Sequence, residues 1–321
     1  MSTEHSSFGR NAGGYLIPVV LFALLAAAPL LGLISAPGYV LSFFTRLMIF
    51  ALAALALDVI LGFGAMISFG HAAFIGLGAY AVGIANAHDI TDAFIGLALA
   101  LAVTGLFGLV TGAISLRTRG VYLIMITLAF GQMAFFLVTS LKAYGGDDGL
   151  TLSSRSTVFG TNLLKNPYTF YYLTFTLLLA CYLFCRSLIA ARFGRVLRGI
   201  QDNPDRMRAI GYNPYPYQLV AYVIAGMMGG IAGYLLANQA EFVSPAFMSW
   251  QRSGGLIMMV VLGGIGTLHG AILGAAAYLI TEELLSGVTE HWRLIFGPLL
   301  ILVVLFARGG LIGLIPGRKH G

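Results

Sequence analysis

Four ionisable side chains interrupt long apolar stretches of the chain. They are Arg46, Asp58, His71 and His269. A charge at the centre of a bilayer costs roughly 2.5–3.5 kcal/mol, so each group must face protein, water or an interface. Asp58 and His71 could form a proton relay of the kind that secondary transporters use, or they could hydrogen-bond backbone groups freed at residues 62–70. We favour the second interpretation. Arg46 could snorkel outward, and His269 fits an interface better than a catalytic role.

Other candidate sites in the sequence have weaker patterns. Cys181 and Cys185 share one face of an apolar helix, where we expect small apolar fillers rather than a metal site or a disulfide. The two adjacent carboxylates in Tyr144–Leu150 lack the further ligands of a Ca²⁺ site, so a structured external turn is expected there. None of the three lysines follows a glycine, as a phosphate-binding P-loop requires. We therefore predict no catalytic residue, metal site or cofactor in this chain.

Composition decides the broad class of protein. The 321 residues are 59% hydrophobic and only 9% charged, with a mean hydropathy of +0.90. Soluble domains carry about 25% charged residues, so this is an integral membrane protein. The net charge of +6 fits cytoplasmic loops, since no basic tract is interleaved with aromatic residues as nucleic-acid binding would require. The first apolar run, residues 16–34, exceeds the core of a signal peptide and predicts an uncleaved span.

The predicted fold class is all-α, a polytopic transmembrane helical bundle of about ten spans. A spanning helix needs about 20 mostly apolar residues to cross a hydrocarbon core of ~30 Å. The last three candidates are short enough to be re-entrant or tilted. The ten candidates are Tyr15–Ile34, Tyr39–Leu61, Ser68–Ala87, Ala93–Ser115, Val121–Leu141, Tyr168–Ile189, Tyr217–Asn238, Ser253–Leu268, Gly270–Leu285 and Arg293–Ala307.

The distribution of charge predicts the orientation of these spans. Arginine clusters stay on the cytoplasmic side of a membrane. Six of the eighteen basic residues lie between positions 186 and 208, namely Arg186, Arg192, Arg195, Arg198, Arg206 and Arg208. With ten spans this segment and both termini are cytoplasmic, while most acids, including Asp92, Glu241 and Glu290, lie outside. Residues 1–14 and 308–321 are then cytoplasmic tails around a transmembrane region at 15–307.

Two glycine-rich breaks interrupt the apolar pattern, in Leu61–Tyr80 and in Leu262–Tyr278. Each combines a Leu-Gly start, a His near a Gly, and Gly-x-x-x-Tyr, which is a weak internal repeat of the kind that transporters contain. Irregular backbone at membrane depth is tolerated only where protein or a water-filled cavity satisfies it. We therefore predict that the two breaks lie at the translocation pathway, or at a close crossing of helices near it. The predicted pathway residues are Asp58, Ser68, Phe69, His71, Gly264 and Thr267.

Six segments match one family of transport proteins in the same order along the chain. They are Leu61–Tyr80 with its Ser-Phe-Gly-His-Ala-Ala-Phe core, Gly120–Gly131, Gly145–Leu150, Gly194–Asn213, Phe242–Phe247 and Met259–Gly270. On these segments the chain resembles the permease subunits of branched-chain amino acid ABC transporters, specifically the LivM type, over most of Tyr39–Leu314. It departs from the family pattern at Arg206-Met207, where two alanines are usual, and at Asp58, where asparagine is usual.

The resemblance implies several partners. They are a sister permease that completes a heterodimeric membrane core, two ATPase subunits that hold ATP and Mg²⁺, and a periplasmic substrate-binding protein. It also implies that residues 190–216 form a coupling segment that seats in a groove of an ATPase. The implied coupling residues are Arg195, Arg198, Asp202, Asn203, Arg206, Arg208 and Gly211. Without an ATPase, the same basic segment would be an anchor against anionic membrane lipid.

We therefore predict a non-enzymatic permease subunit of a binding-protein-dependent ABC importer in the bacterial inner membrane. It would form half of the pathway for a small molecule, with a branched-chain amino acid as the expected cargo. Relatives of this type also carry urea, amides and aromatic acids, which remain alternatives. A stand-alone proton-coupled carrier that uses Asp58 and His71 is the alternative from a different class of protein.

Overall fold

The computed structural model describes residues 8–31, 37–158, 160–287, 291, 294–298, 300–301 and 309–313. Almost all of the regular structure in these residues is helical. The helices are α1 Phe8–Leu31, α2 Pro37–Gly64, α3 His71–Ala87, α4 Ala93–Ser115, α5 Val121–Ser140, α6 Pro167–Ala190, α7 Arg192–Asp202, α8 Pro204–Ala209, α9 Pro214–Ala240, α10 Trp250–Gly263, α11 Leu268–Ser286 and α12 Gly310–Gly313. Two short strands, β1 Leu150–Thr151 and β2 Phe242–Val243, form an antiparallel pair.

The number of predicted spans exceeds the number of long apolar helices. Within the described residues six helices, α2, α4, α5, α6, α9 and α11, are long and apolar enough to cross a membrane, and the apolar parts of α1 and α3 are shorter. The chain is thus a multi-pass all-α protein, but the count of ten remains a prediction. About half of the tenth candidate, Arg293–Ala307, lies outside the described residues. The helix α1 begins at Phe8, inside the segment predicted to be a polar tail.

Helices α2 and α9 form the centre of the bundle. From residue 47 to residue 64 every side chain of α2 is buried, as expected for a helix that is apolar on all faces. The two helices are antiparallel, since Gln239 near the end of α9 donates a hydrogen bond to the carbonyl of Ser42 near the start of α2. Glycines on α9 let its backbone approach α3 closely. A Cβ at Gly233 would lie only 1.9 Å from the carbonyl oxygen of Ile75.

The connections divide between two ends of the bundle. The segment 142–166 packs against residues that precede α4 and follow α9, and we call this the loop end. Here β1 pairs with β2, Arg155 forms a 3.0 Å ion pair with Glu241, and Asn86 donates to the carbonyl of Ser154. The opposite end carries α7 and α8, and we call it the arginine end. The separation agrees with the charge pattern of the sequence, while the cytoplasmic assignment of the arginine end remains a prediction.

Two helices that pack inside the bundle, α3 and α10, are too short to cross a membrane unaided. At 1.5 Å per residue, α3 and α10 measure about 26 and 21 Å against a hydrocarbon core of ~30 Å. Each is preceded by a segment without α-helix, residues 65–70 before α3 and residues 241–249 before α10. The two segments enter the bundle from opposite ends, and the first turns of α3 and α10 meet where the amide of Ala72 donates to Ser253 Oγ at 3.0 Å.

Candidate functional site

The basic segment of the sequence folds into two amphipathic helices. On α7, Val196, Leu197 and Ile200 are buried, and Met207 of α8 packs against Val196 and Ile200. Asn203 separates the two helices because its side-chain oxygen accepts hydrogen bonds from the first two free amides of α8, those of Asp205 and Arg206, at 3.1 and 2.9 Å. This is the usual action of an N-cap residue, and Pro204 at the first helical position is compatible with it.

The packing of Met207 against α7 explains how the fold accepts a methionine where the family pattern has alanine. A Cβ at Gly199 would lie 2.7 Å from Met207 Sδ, so the thioether lies directly over a glycine of α7. A flexible, polarisable methionine fills such an irregular space well. The Met207 side chain therefore fills the space between α7 and α8 that the absence of a side chain at Gly199 leaves. The structure thus accommodates methionine at a position where the family usually has alanine.

Helix α8 ends in a C-terminal cap at Gly211. Gly211 has a φ of +90°, and no heavy atom lies within 4 Å of a Cβ built at this position. The amides of Gly211 and Tyr212 donate to the carbonyls of Arg208 and Met207, each at 3.0 Å. This is the Schellman arrangement that ends a helix, and it needs a residue that adopts positive φ without strain.

The predicted coupling residues lie along one exposed surface. Arg208 pairs with Asp205 at 3.1 Å and Arg195 donates to the carbonyl of Ala190 at 3.1 Å, but neither contact buries the guanidinium group. Such exposed pairs contribute little stability. The exposed charged residues of this surface are Arg192, Arg195, Arg198, Asp202, Asp205, Arg206 and Arg208. The surface carries an excess of positive charge and is held rigidly by the apolar faces beneath it.

The predicted pathway residues separate into two groups. Asp58, Gly264 and Thr267 lie together where α2 meets the α10–α11 turn. Asp58 Oδ1 accepts a hydrogen bond from the amide of Gly266 at 2.8 Å, and Thr267 Oγ1 donates to the carbonyl of Gly264 at 2.6 Å. Asp58 therefore does bond to freed backbone, as favoured from the sequence. The backbone belongs to the second break, however, and not to the expected residues 62–70.

The second group surrounds the first turn of α3. The amide of Phe69 donates to Thr127 Oγ1 of α5 at 3.2 Å, while Ser68 and His71 are buried. The His71 ring lies 5.5 Å from that of Phe74. Within the described part of the chain, neither ring nitrogen of His71 has a hydrogen-bond partner, and neither does Asp58 Oδ2. No hydrogen bond therefore joins Asp58 to His71 in these residues, and the hydrogen bond from His71 to freed backbone that we favoured from the sequence is not found there either.

The other conspicuous polar residues have structural contacts. Arg46 lies 4.0 Å from Glu282, and its guanidinium group is 5.9 Å from the Phe50 ring. Tyr39 donates a hydrogen bond to Glu283, so α2 and α11 are tied together near the start of α2. His269 is buried in the first turn of α11, and its position at a membrane interface remains a prediction.

The sequence did not single out two polar residues that the structure places at contacts between helices. They are Gln201, which donates to the carbonyl of Gly62, and Ser253, which accepts from Ala72. Gln201 follows Leu197 by four residues and Arg198 by three, so the helical periodicity of α7 already placed it near the face that packs on the bundle. No signal in the sequence predicts the contact of Ser253.

These features define a multi-pass helical membrane protein with two broken segments in its core and an exposed basic helix pair at one end. Residues 39–305 match the family described as branched-chain amino acid transport system / permease component, and the chain belongs to this family. It is 28% identical over 291 residues to the high-affinity branched-chain amino acid transport system permease protein LivM of Salmonella typhimurium. That alignment covers 84% of this chain and 68% of the relative.

Two further relatives show the range of similar proteins. The permease protein LivH of the high-affinity branched-chain amino acid transport system of Escherichia coli is 28% identical over 170 residues, covering 52% of this chain and 53% of LivH. The autoinducer 2 import system permease protein LsrC of Enterobacter sp. is 29% identical over 314 residues, covering 91% of this chain and 87% of LsrC. No solved structure matches the chain.

Proposed function

We propose that this chain is the LivM-type permease subunit of a binding-protein-dependent ABC importer in the bacterial inner membrane, and that it forms half of the translocation pathway. The observation that carries the proposal is the helix pair α7–α8. It presents an exposed, mostly basic surface on a rigid apolar base, and it packs against the core of a chain that belongs to a permease family. An anchor against lipid would need the positive charges, but it would not need the turn between the helices to be capped by Asn203 and packed by Met207.

The partners follow from the same proposal. LivM and LivH are both permease proteins of one transport system in Escherichia coli, and this chain is similar to both. We infer a sister permease of the LivH type, two ATPase subunits that seat against α7–α8, and a periplasmic binding protein at the loop end. The ATPases supply ATP hydrolysis, since the chain has no P-loop.

The proposed cargo is a branched-chain amino acid. Similarity to the LivM proteins supports this choice, whereas LsrC belongs to an import system for a different compound. Neutral groups supply most of the polarity around the two breaks, which suits a small zwitterion better than a highly charged solute. Urea, amides and aromatic acids are the competing cargoes to test.

We expect ATP-dependent leucine uptake by proteoliposomes that contain this chain, its sister permease, the ATPase subunits and the binding protein. Uptake should fall to background when the ATPase subunits or ATP are omitted, because the chain has no energy source of its own. Radiolabelled leucine uptake measures this, with isoleucine, valine, urea, an amide and an aromatic acid as unlabelled competitors.

Proteoliposomes with this chain alone are the decisive control. Uptake by the single chain that follows an imposed proton gradient and is lost in Asp58→Asn would support the proton-coupled carrier and overturn the importer proposal. Competition by an aromatic acid but not by isoleucine or valine would keep the importer and replace its cargo.

A further inference from the structure

The last two turns of α2 contact α7, which follows them by more than a hundred residues. The Gln201 side-chain amide donates to the carbonyl of Gly62 at 3.1 Å. The Arg198 guanidinium group lies 5.3 Å from the centre of the Phe63 ring, within the range of a cation–π interaction. Leu197 is fully buried in the same region. The first helix of the coupling segment is thus attached to the end of α2 by polar, cation–π and apolar contacts.

The same two turns of α2 also contact the turn between α10 and α11. Asp58, which is fully buried, accepts the hydrogen bond from the amide of Gly266. A Cβ at Gly62 would lie 2.3 Å from Asp58 Oδ1 and 2.4 Å from the Gly266 nitrogen. Only glycine at position 62 therefore leaves room for the carboxylate and the turn. Residues 58 and 62 are one helical turn apart, so they present one continuous surface to the turn.

Helix α10 extends this set of contacts into the bundle. Its last residue is Gly263, and the turn that follows has positive φ at Gly264 and Gly266. At its other end, Ser253 accepts the hydrogen bond from Ala72 in the first turn of α3. A short rigid helix thus has one end at Asp58 and the other beside His71, and it joins the two groups of predicted pathway residues.

We propose that the end of α2 links the coupling segment mechanically to the α10–α11 turn, with Asp58, Gly62 and Gln201 as positioning residues. Displacement of α7 by a partner would move the end of α2, then the turn, and through α10 the first turn of α3. This inference rests on the proposed function, because it requires an ATPase that moves α7–α8. Its physical basis is a contiguous chain of hydrogen bonds together with the close backbone contact at Gly62, because packed elements change between discrete arrangements more readily than they deform continuously.

The linkage is tested in the complete importer reconstituted in proteoliposomes, by measuring leucine imported per ATP hydrolysed. Gly62→Ala and Asp58→Leu are each expected to lower this ratio about tenfold, the size of effect that disrupted coupling contacts produce. ATP hydrolysis should continue in both. Asp58→Asn keeps an acceptor oxygen for Gly266 and should restore the ratio. Gly38→Ala is the matched control on α2, since nothing lies within 4 Å of its Cβ position.

Each outcome has one interpretation. Normal import per ATP in Gly62→Ala and Asp58→Leu would overturn the linkage, and so would an Asp58→Asn variant as defective as Asp58→Leu, because the charge and not the acceptor would then matter. If the core variants do not fold, Gln201→Ala tests the same chain of contacts at its exposed end and should also lower leucine import per ATP, whereas Gln218→Ala on α9 is the control and should not. Absence of bound ATPase in the wild-type complex would instead refute the proposed function.

Discussion

Gly233→Leu is expected to prevent accumulation of the folded protein. A Cβ at this position would lie 1.9 Å from the carbonyl oxygen of Ile75 and 2.9 Å from the amide nitrogen of Ala79, both backbone atoms of α3. A second close contact between the two helices keeps α3 from shifting to make room. At that contact, Gly78 of α3 lies directly against the carbonyl of Gly230 on α9. Overpacking of a core costs about 1–3 kcal/mol when side chains can adjust, and we expect a larger loss where two backbones collide.

Fluorescence-detected size-exclusion chromatography of the detergent-solubilised protein measures this effect. The matched control is Gly254→Leu, since nothing lies within 4 Å of a Cβ at Gly254 on α10. The control should give a monodisperse peak close to that of the wild type. An equal peak for Gly233→Leu would show that α3 and α9 do not meet backbone to backbone.

Gly211→Asp is expected to uncouple ATP hydrolysis from uptake in the assembled importer while the membrane core stays folded. The φ of +90° at Gly211 costs a non-glycine residue about 1–3 kcal/mol, so the turn after α8 would open or shift. A new carboxylate would also stand beside a basic surface that is proposed to seat in the ATPase. Leucine uptake per ATP should fall at least about tenfold, because the helix pair no longer presents one rigid surface.

Gly160→Asp provides the control for strain alone. Gly160 has a φ of +73° with open space around its Cβ position, but it lies in the loop segment at the other end of the bundle. Uptake per ATP in this variant should stay near the wild-type value. A Gly211→Asp importer that couples normally would remove the mechanical role of α7–α8 and favour a simple lipid anchor.

Local composition predicted most of the helices well. The prediction Ala93–Ser115 coincides with α4, and Val121–Leu141 ends one residue beyond α5. Such agreement arises because an apolar run of about 20 residues leaves the backbone no hydrogen-bond partners except its own. The prediction Ser253–Leu268 was less accurate. The helix α10 covers Trp250–Gly263, because the positive φ at Gly264 ends it before the apolar pattern ends.

For the functional residues too, local features followed from the sequence, whereas contacts between distant residues required the tertiary structure. The basic segment was predicted from the sequence, whereas Asn203 was identified there only as an implied coupling residue. Its role as a cap is nevertheless a local one, because a side chain that caps a helix lies within a few residues of the amides it binds. Sequence also marked Asp58 as a residue that needs a partner, since a buried carboxylate is costly alone. Only the tertiary structure showed that its partner is the amide of Gly266, 208 positions away. The absence of a side chain at Gly62 makes that contact possible, and no local pattern encodes it.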